Sequence, residues 1–208
     1  MVRHPHVHID TERRRNNHDN MKCALCDNKE CYQGKNCTTV ATDIDYEPAA
    51  EVMRIASGIE SEYMKHTRLE ELILFCKNMR FRKIGIAFCI GLSAEARIVH
   101  EILSRDFEVH SVCCKVGGID KDDLGLVKIR DARAHETMCN PLGQARVLNK
   151  ERTDLNIILG LCIGHDILFT KYSDAPVTTL AVKDRVLAHN PLGAVYSGYY
   201  LKNVFGME

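Results

Sequence analysis

The sequence predicts an α/β fold: about four strands in a mainly parallel sheet with helices on both faces, plus a small N-terminal Cys-rich metal knuckle. Three observations carry this. From Lys83 onward, short apolar runs of strand length alternate with segments of helical periodicity. Those runs are apolar at successive positions, so both faces are covered, as in a parallel sheet under helices. With 208 residues, 45% of them hydrophobic, the chain has material for one ordinary domain and a small appendage.

Residues 1–20 are polar, hold four of the ten His and lack apolar periodicity, which predicts a disordered leader. Asp10, Glu12 and Asp19 argue against a transit peptide, and Met21-Lys22-Cys23 reads as a native start behind an added or over-extended segment. Residues 21–40 form a Cys-rich module with almost no apolar content, and 41–208 form the α/β domain. Its helical part covers 47–79. Ala49, Val52, Met53, Ile55, Ala56 and Ile59 recur at helical spacing, as do Leu69, Leu72, Ile73 and Cys76. Thr67 with Glu70 three residues on is a capping box that starts the second helix.

Strands and helices then alternate over 83–204. IGIAFC (84–89) is the first strand, and SAEARIVHEIL (93–103) follows as a helix with Ser93 as expected N-cap. EVHSVC (108–113) is the second strand, PLGQARVLNKE (141–151) a helix and LNIILGLC (155–162) the third strand. HDILFTKY (165–172) is a short helix, VTTLAV (177–182) the fourth strand and PLGAVYSGYYLKNV (191–204) the closing helix.

Composition excludes several classes. Lys and Arg number 28 against 28 Asp and Glu, so no basic surplus exists to hold nucleic acid or an anionic membrane surface. The longest apolar run, Ile84 to Leu92, is far short of the roughly 20 residues that span a bilayer, and no secretion signal is present. The outlier is cysteine, at ten residues. Without export, so many cysteines point to a cytoplasmic chain and to metal or thiol chemistry rather than disulfides.

Cysteine placement sharpens this. Cys89 ends the first strand, Cys113 and Cys114 the second, and Cys162 the third. Strand C-termini of a parallel sheet share one edge, where open α/β sheets bind ligands. An internal echo adds to it: CNPLGQA (139–145) and HNPLGAV (189–195) place Cys139 and His189 just before a helix start built from an Asn cap and Pro. There the helix dipole favours a thiolate or anion. His165 and Asp166 open another helix beside Cys162. Cys89, Cys139, Cys162 and one of Cys113 or Cys114 would then bring four thiolates to the rim, a set suited to tetrahedral zinc or a [4Fe–4S] cluster. A Cys113–Cys114 vicinal disulfide is the alternative. Each of these cysteines also has an ordinary reading as a small core residue.

In the N-terminal module Cys23, Cys26, Cys31 and Cys37 give C-x2-C-x4-C-x5-C, with Gly34 turning the chain back toward the last sulfur. So little apolar content cannot fold alone, and metal would supply the folding energy. The spacing does not separate zinc from an iron–sulfur cluster. No dinucleotide or P-loop glycine motif occurs. Gly117-Gly118 beside Lys115 reads either as an anion loop or a simple turn, and Lys183, Asp184 and Arg185 are candidate polar groups at the same rim.

The blocks AFCIGLSAEA, SVCCKVGGIDK, MCNPLGQARVLN, TDLNIILGLCIGHDILFTKYS and APVTTLAVKDRVLAHNPLGAVYS resemble domain-of-unknown-function family 1847, over about Cys23 to Tyr200. The resemblance implies a cytoplasmic, cysteine-rich, metal-binding protein of the kind found in anaerobic bacteria and archaea, with no assigned reaction. Three functions follow as expectations. The first is a metal-binding, iron–sulfur protein with two thiolate sites and a redox or sulfur-handling role, served by a redox partner or small-molecule ligand. The second is an enzyme using a low-pKa thiolate, Cys162 with His165 or Cys139 at its helix start. The third is a zinc-stabilised interaction module. No oligomeric state is assigned.

Overall fold

The computed structural model describes residues 22–37, 44–129 and 134–207. The expected leader, 1–20, lies outside the described residues. The chain divides into two compact units between Glu51 and Val52. In the first, the described backbone forms short 3-10 turns at Cys23–Leu25, Glu30–Gln33 and Glu47–Ala49, with no buried side chain among them.

In the second unit two helices precede the sheet, α1 (Ala50–Glu60, beginning at the division) and α2 (Arg68–Asn78). The alternation predicted from Lys83 follows: β1 (Lys83–Phe88), α3 (Ser93–Leu103), β2 (Glu108–Cys113), α4 (Pro141–Glu151), β3 (Leu155–Leu159), α5 (His165–Tyr172), β4 (Val177–Ala181), α6 (Gly193–Tyr196) and α7 (Gly198–Asn203). The four strands make one sheet in the order β2-β1-β3-β4, and every pairing is parallel. The chain thus moves outward from β1 to β2, then returns past β1 to β3. The reversal of strand order lies between β1 and β3, where doubly wound sheets open a crevice at their C-terminal edge.

Both faces are covered. On one, Leu72 and Cys76 of α2 and Ala96, Val99 and Leu103 of α3 pack on Ile84, Ile86 and Ile157. On the other, Ala145 and Leu148 of α4 and Phe169 of α5 pack on Ala87, Val112 and Ile158. A fully buried Ile, Leu or Phe contributes about 1.5–3 kcal/mol, so these two layers hold the sheet. Gly85 lets the layers close over a polar group. A Cβ there would lie 1.9 Å from Oδ1 of buried Asn156, which accepts from Thr153 Oγ1 at 2.8 Å while its Nδ2 donates to Ser173 Oγ at 2.8 Å.

Local structure departs from the sequence expectations in four places. The first strand stops at Phe88, ahead of the 3-10 turn at Ile90–Leu92, and the third stops at Leu159, where Gly160 turns the chain at φ +66°. Cys89 and Cys162 therefore stand just beyond the strands. The α3 helix begins at Ser93 itself after a 3-10 turn over Ile90–Leu92, with Leu92 as N-cap, so Ser93 caps nothing. The first NPLG behaves as expected: Asn140 Oδ1 accepts from Gly143 N–H at 2.8 Å and Pro141 opens α4. The second does not. Ala188 and His189 take left-handed conformations, α6 starts only at Gly193, and extended Ser197 breaks the expected closing helix in two.

Candidate thiolate site at the sheet rim

The strand register assembles the site. Phe88 of β1 faces Cys113 of β2, and one residue further Cys114 N–H donates to Phe88 O at 2.8 Å. Cys114 thereby lies alongside Cys89. On its other flank Asn140 N–H donates to Cys114 O at 2.7 Å, which brings Cys139 beside it from the start of α4. Gln144, fully buried one turn into α4, donates through Nε2 to Phe88 O at 3.2 Å and Val112 O at 2.7 Å. It ties that helix to the ends of both strands. Sequence reasoning passed over Gln144, yet a glutamine in the inward register of Ala145 and Leu148 was the signal that it reaches backbone rather than solvent.

Cys114 is the member of the vicinal pair that joins the cluster. Its sulfur accepts Ile90 N–H at 3.3 Å and its thiol faces both Cys89 and Cys139. Lys115 stands beyond Cys139: its ammonium donates to Thr137 O at 2.6 Å and Cys139 Sγ at 3.4 Å. Lys183, just after β4, stands beyond Cys89. Its Nζ is buried and approaches the Cys89 sulfur, favouring the thiolate both by a loose contact and by its charge. The row reads Lys183, Cys89, Cys114, Cys139, Lys115, with a central thiol between two sulfurs that each have an ammonium.

Ionisation follows from this row. The Cys114 thiol, then the Lys115 charge working against burial, bring Cys139 down to about 5, with His165 adding to the effect. The same Cys139 contact, reinforced by burial, holds Cys114 protonated far above the usual thiol range. Burial alone would raise Cys89, but Lys183 and Gly91 N–H outweigh it and its pKa is lowered. Burial raises Cys162, which lies near Cys89 and Cys139. A group at about 5 is a thiolate at neutral pH, the reactive form of cysteine.

The other expected residues divide. His165 favours the Cys139 thiolate, and its backbone N–H donates to Cys162 O at 2.9 Å. His189 Nδ1 accepts Asp184 N–H at 3.0 Å, so that nitrogen is committed to a turn. Cys113 is half-buried against the α4 face. Gly117 and Gly118, at φ +90° and +62°, form a turn closed by Gly118 N–H to Lys115 O. Arg185 Nη2 donates to Gly91 O at 2.6 Å and anchors the turn after Cys89. Cys76 lies in the core, where burial pushes it up to about 11.

In the N-terminal unit Cys23, Cys26, Cys31 and Cys37 are all exposed. Lys29 donates to the carbonyls of Cys23 and Cys26, and Gly34 at φ +90° turns the chain after Cys31 as its place in the sequence suggested. Among the described residues no three His, Cys, Asp or Glu side chains are grouped to hold a metal ion, in either unit. Nor is any helix of the described residues long and apolar enough to cross a membrane.

The family described as "Protein of unknown function (DUF1847)" matches residues 27–180. That stretch contains every cysteine of the rim, together with Cys31 and Cys37, and begins after Cys23 and Cys26. "Uncharacterized protein MJ0455" of Methanocaldococcus jannaschii is 56% identical over 190 residues, covering 88% of this chain and 98% of that protein. No solved structure matches.

Proposed function

The chain belongs to the DUF1847 family of proteins of unknown function, and from that premise we propose that it is a cytoplasmic thiol protein whose nucleophile is Cys139. The observation that carries the reading is the contact of Cys139 Sγ with the Lys115 ammonium at 3.4 Å, just before the N-terminus of α4. Ammonium and helix dipole both favour a thiolate, and Cys139 is only half-buried. The substrate would carry a soft electrophilic centre, attacked by Cys139 at the C-terminal rim of the sheet. Ten free thiols support a reducing compartment.

Labelling with limiting iodoacetamide at pH 6, read by peptide mass mapping, tests this. Cys139 is expected to be modified ahead of Cys89, Cys114 and Cys162. Equal, slow modification of all four would overturn it.

The all-sulfur donor set favours a second reading, ligation of an iron–sulfur cluster by Cys89, Cys114, Cys139 and Cys162. Two ammonium groups beside four thiols offset the negative charge such a ligand set carries, and the cluster would supply electron transfer. The thiols would then serve as ligands rather than as a nucleophile. Zinc or a second cluster at Cys23, Cys26, Cys31 and Cys37 belongs to the same reading. Iron and acid-labile sulfide, assayed on protein purified without oxygen, would support it if the content falls in the Cys89→Ser, Cys162→Ser double variant. Unchanged metal in that variant removes the rim from it.

A further inference from the structure

Two cysteine sulfurs that face each other have a chemistry that a single nucleophile lacks. Resting on the reading of Cys139 as the nucleophile, we propose that the rim is a dithiol site for disulfide substrates, with Cys114 as the resolving thiol.

Three geometric facts support it. The two residues are backbone neighbours, because Asn140 N–H donates to Cys114 O at 2.7 Å. Hydrogen-bonded neighbouring segments run about 5 Å apart, which is of the order of the Cα separation a disulfide spans, about 4.4–6.8 Å. Cys114 is 2% exposed while Cys139 is half-buried, so an incoming substrate reaches Cys139 first and only a bond already formed on Cys139 reaches Cys114. Finally, Ile90 N–H on the Cys114 sulfur and Lys115 on the Cys139 sulfur hold the two in fixed positions from opposite sides.

The Cys139 thiolate attacks one sulfur of a substrate R–S–S–R′, forming the Cys139–S–S–R bond and releasing R′S⁻. Cys114 then attacks the Cys139 sulfur, a Cys114–Cys139 disulfide forms, and RS⁻ departs with the proton Cys114 gives up. The substrate disulfide is reduced by two electrons and the protein dithiol is oxidised by two. A second round requires a dithiol reductant, which opens the Cys114–Cys139 bond by the reverse exchange.

The substrate class is a small disulfide, since Cys139 is itself half-buried and its partner Cys114 fully buried. The probe is 2-hydroxyethyl disulfide, added without oxygen to the reduced full-length chain, followed by an alkylating quench and peptide mass mapping. Wild type is expected to yield a Cys114–Cys139 cross-link with release of both halves of the probe. Cys114→Ser is expected to stop at a stable mixed disulfide on Cys139, and Cys114→Ala serves if the serine variant does not fold. A mixed disulfide that persists on Cys139 in wild type, or a Cys113–Cys114 cross-link in its place, overturns the dithiol proposal and leaves the nucleophile reading standing. A Cys139 that takes no label from the probe in any of these proteins overturns both.

Discussion

Lys115 and Cys139 meet Nζ to Sγ at 3.4 Å although 24 residues separate them in sequence. The connection from β2 to α4 leaves the rim after Lys115 and returns to it at Cys139, so one ammonium is delivered from the strand side and the sulfur from the helix side.

This pair predicts a pH profile. Only the thiolate reacts with an alkylating reagent, so the rate at Cys139 should rise through pH 5 and be level by neutrality, whereas an ordinary thiol is still rising near about pH 8.5. Lys115→Met removes the charge that favours the thiolate and should move the inflection upward, by roughly one unit or more. A wild-type inflection near that of a free thiol would sink the assignment.

Gln144 should be costly to replace. Gln144→Leu takes the side-chain donor from Val112 O and one of two donors from Phe88 O, which keeps Cys114 N–H. At about 1–3 kcal/mol for an unsatisfied buried group, we expect a loss of about 1–3 kcal/mol in urea unfolding. Slower alkylation of Cys139 should accompany it, because α4 loses its tie to the strand ends. A variant as stable as wild type would contradict the geometry.

Gly85→Ala drives a methyl group into Asn156 Oδ1. Overpacking of this kind costs about 1–3 kcal/mol and sometimes more. Adding Asn156→Ala should recover part of that loss, so the two substitutions should be non-additive in a double-mutant cycle. Strict additivity would mean the two sites do not meet.

The Thr67–Glu70 capping box carries its own pH signature. Thr67 Oγ1 and N–H both reach the Glu70 carboxylate and lower its pKa in the folded state. A depressed folded pKa gives stability that is present above the unfolded value, roughly pH 4.3, and lost as pH falls through the folded one. Acid unfolding of Thr67→Ala should therefore show a weaker pH dependence over that range than wild type.

Much of this was legible before the fold was known, for identifiable reasons. Continuous apolar runs marked strands covered on both faces, and cysteines at their ends marked one edge, since parallel strands share direction. The capping box and the first NPLG were readable because each involves contacts within one helical turn. What escaped depends on distant residues. The second NPLG shares its tetrapeptide with the first, but His189 is held in a turn by Asp184 N–H and O. Cys114 was separable from Cys113 only through the positions of Ile90 and Asn140. Lys183 could be placed at the rim, but its approach to Cys89 depends on the order in which β4 joins the sheet.

The connection between β2 and α4 is already folded on itself, with an isolated bridge between Asp120 and Thr137 and a Lys121–Glu136 ion pair at 2.6 Å. A bond between Cys114 and Cys139 would fasten this segment at its base, and in the unfolded chain it would close a loop of roughly 25 residues, a restriction worth about 3.5 kcal/mol of chain entropy. For a protein of this size that corresponds to a rise in Tm of roughly 7–14 °C. The melting temperature would then report the redox state of two sulfurs, and a cell depleted of reductant would hold the protein in its more heat-resistant form.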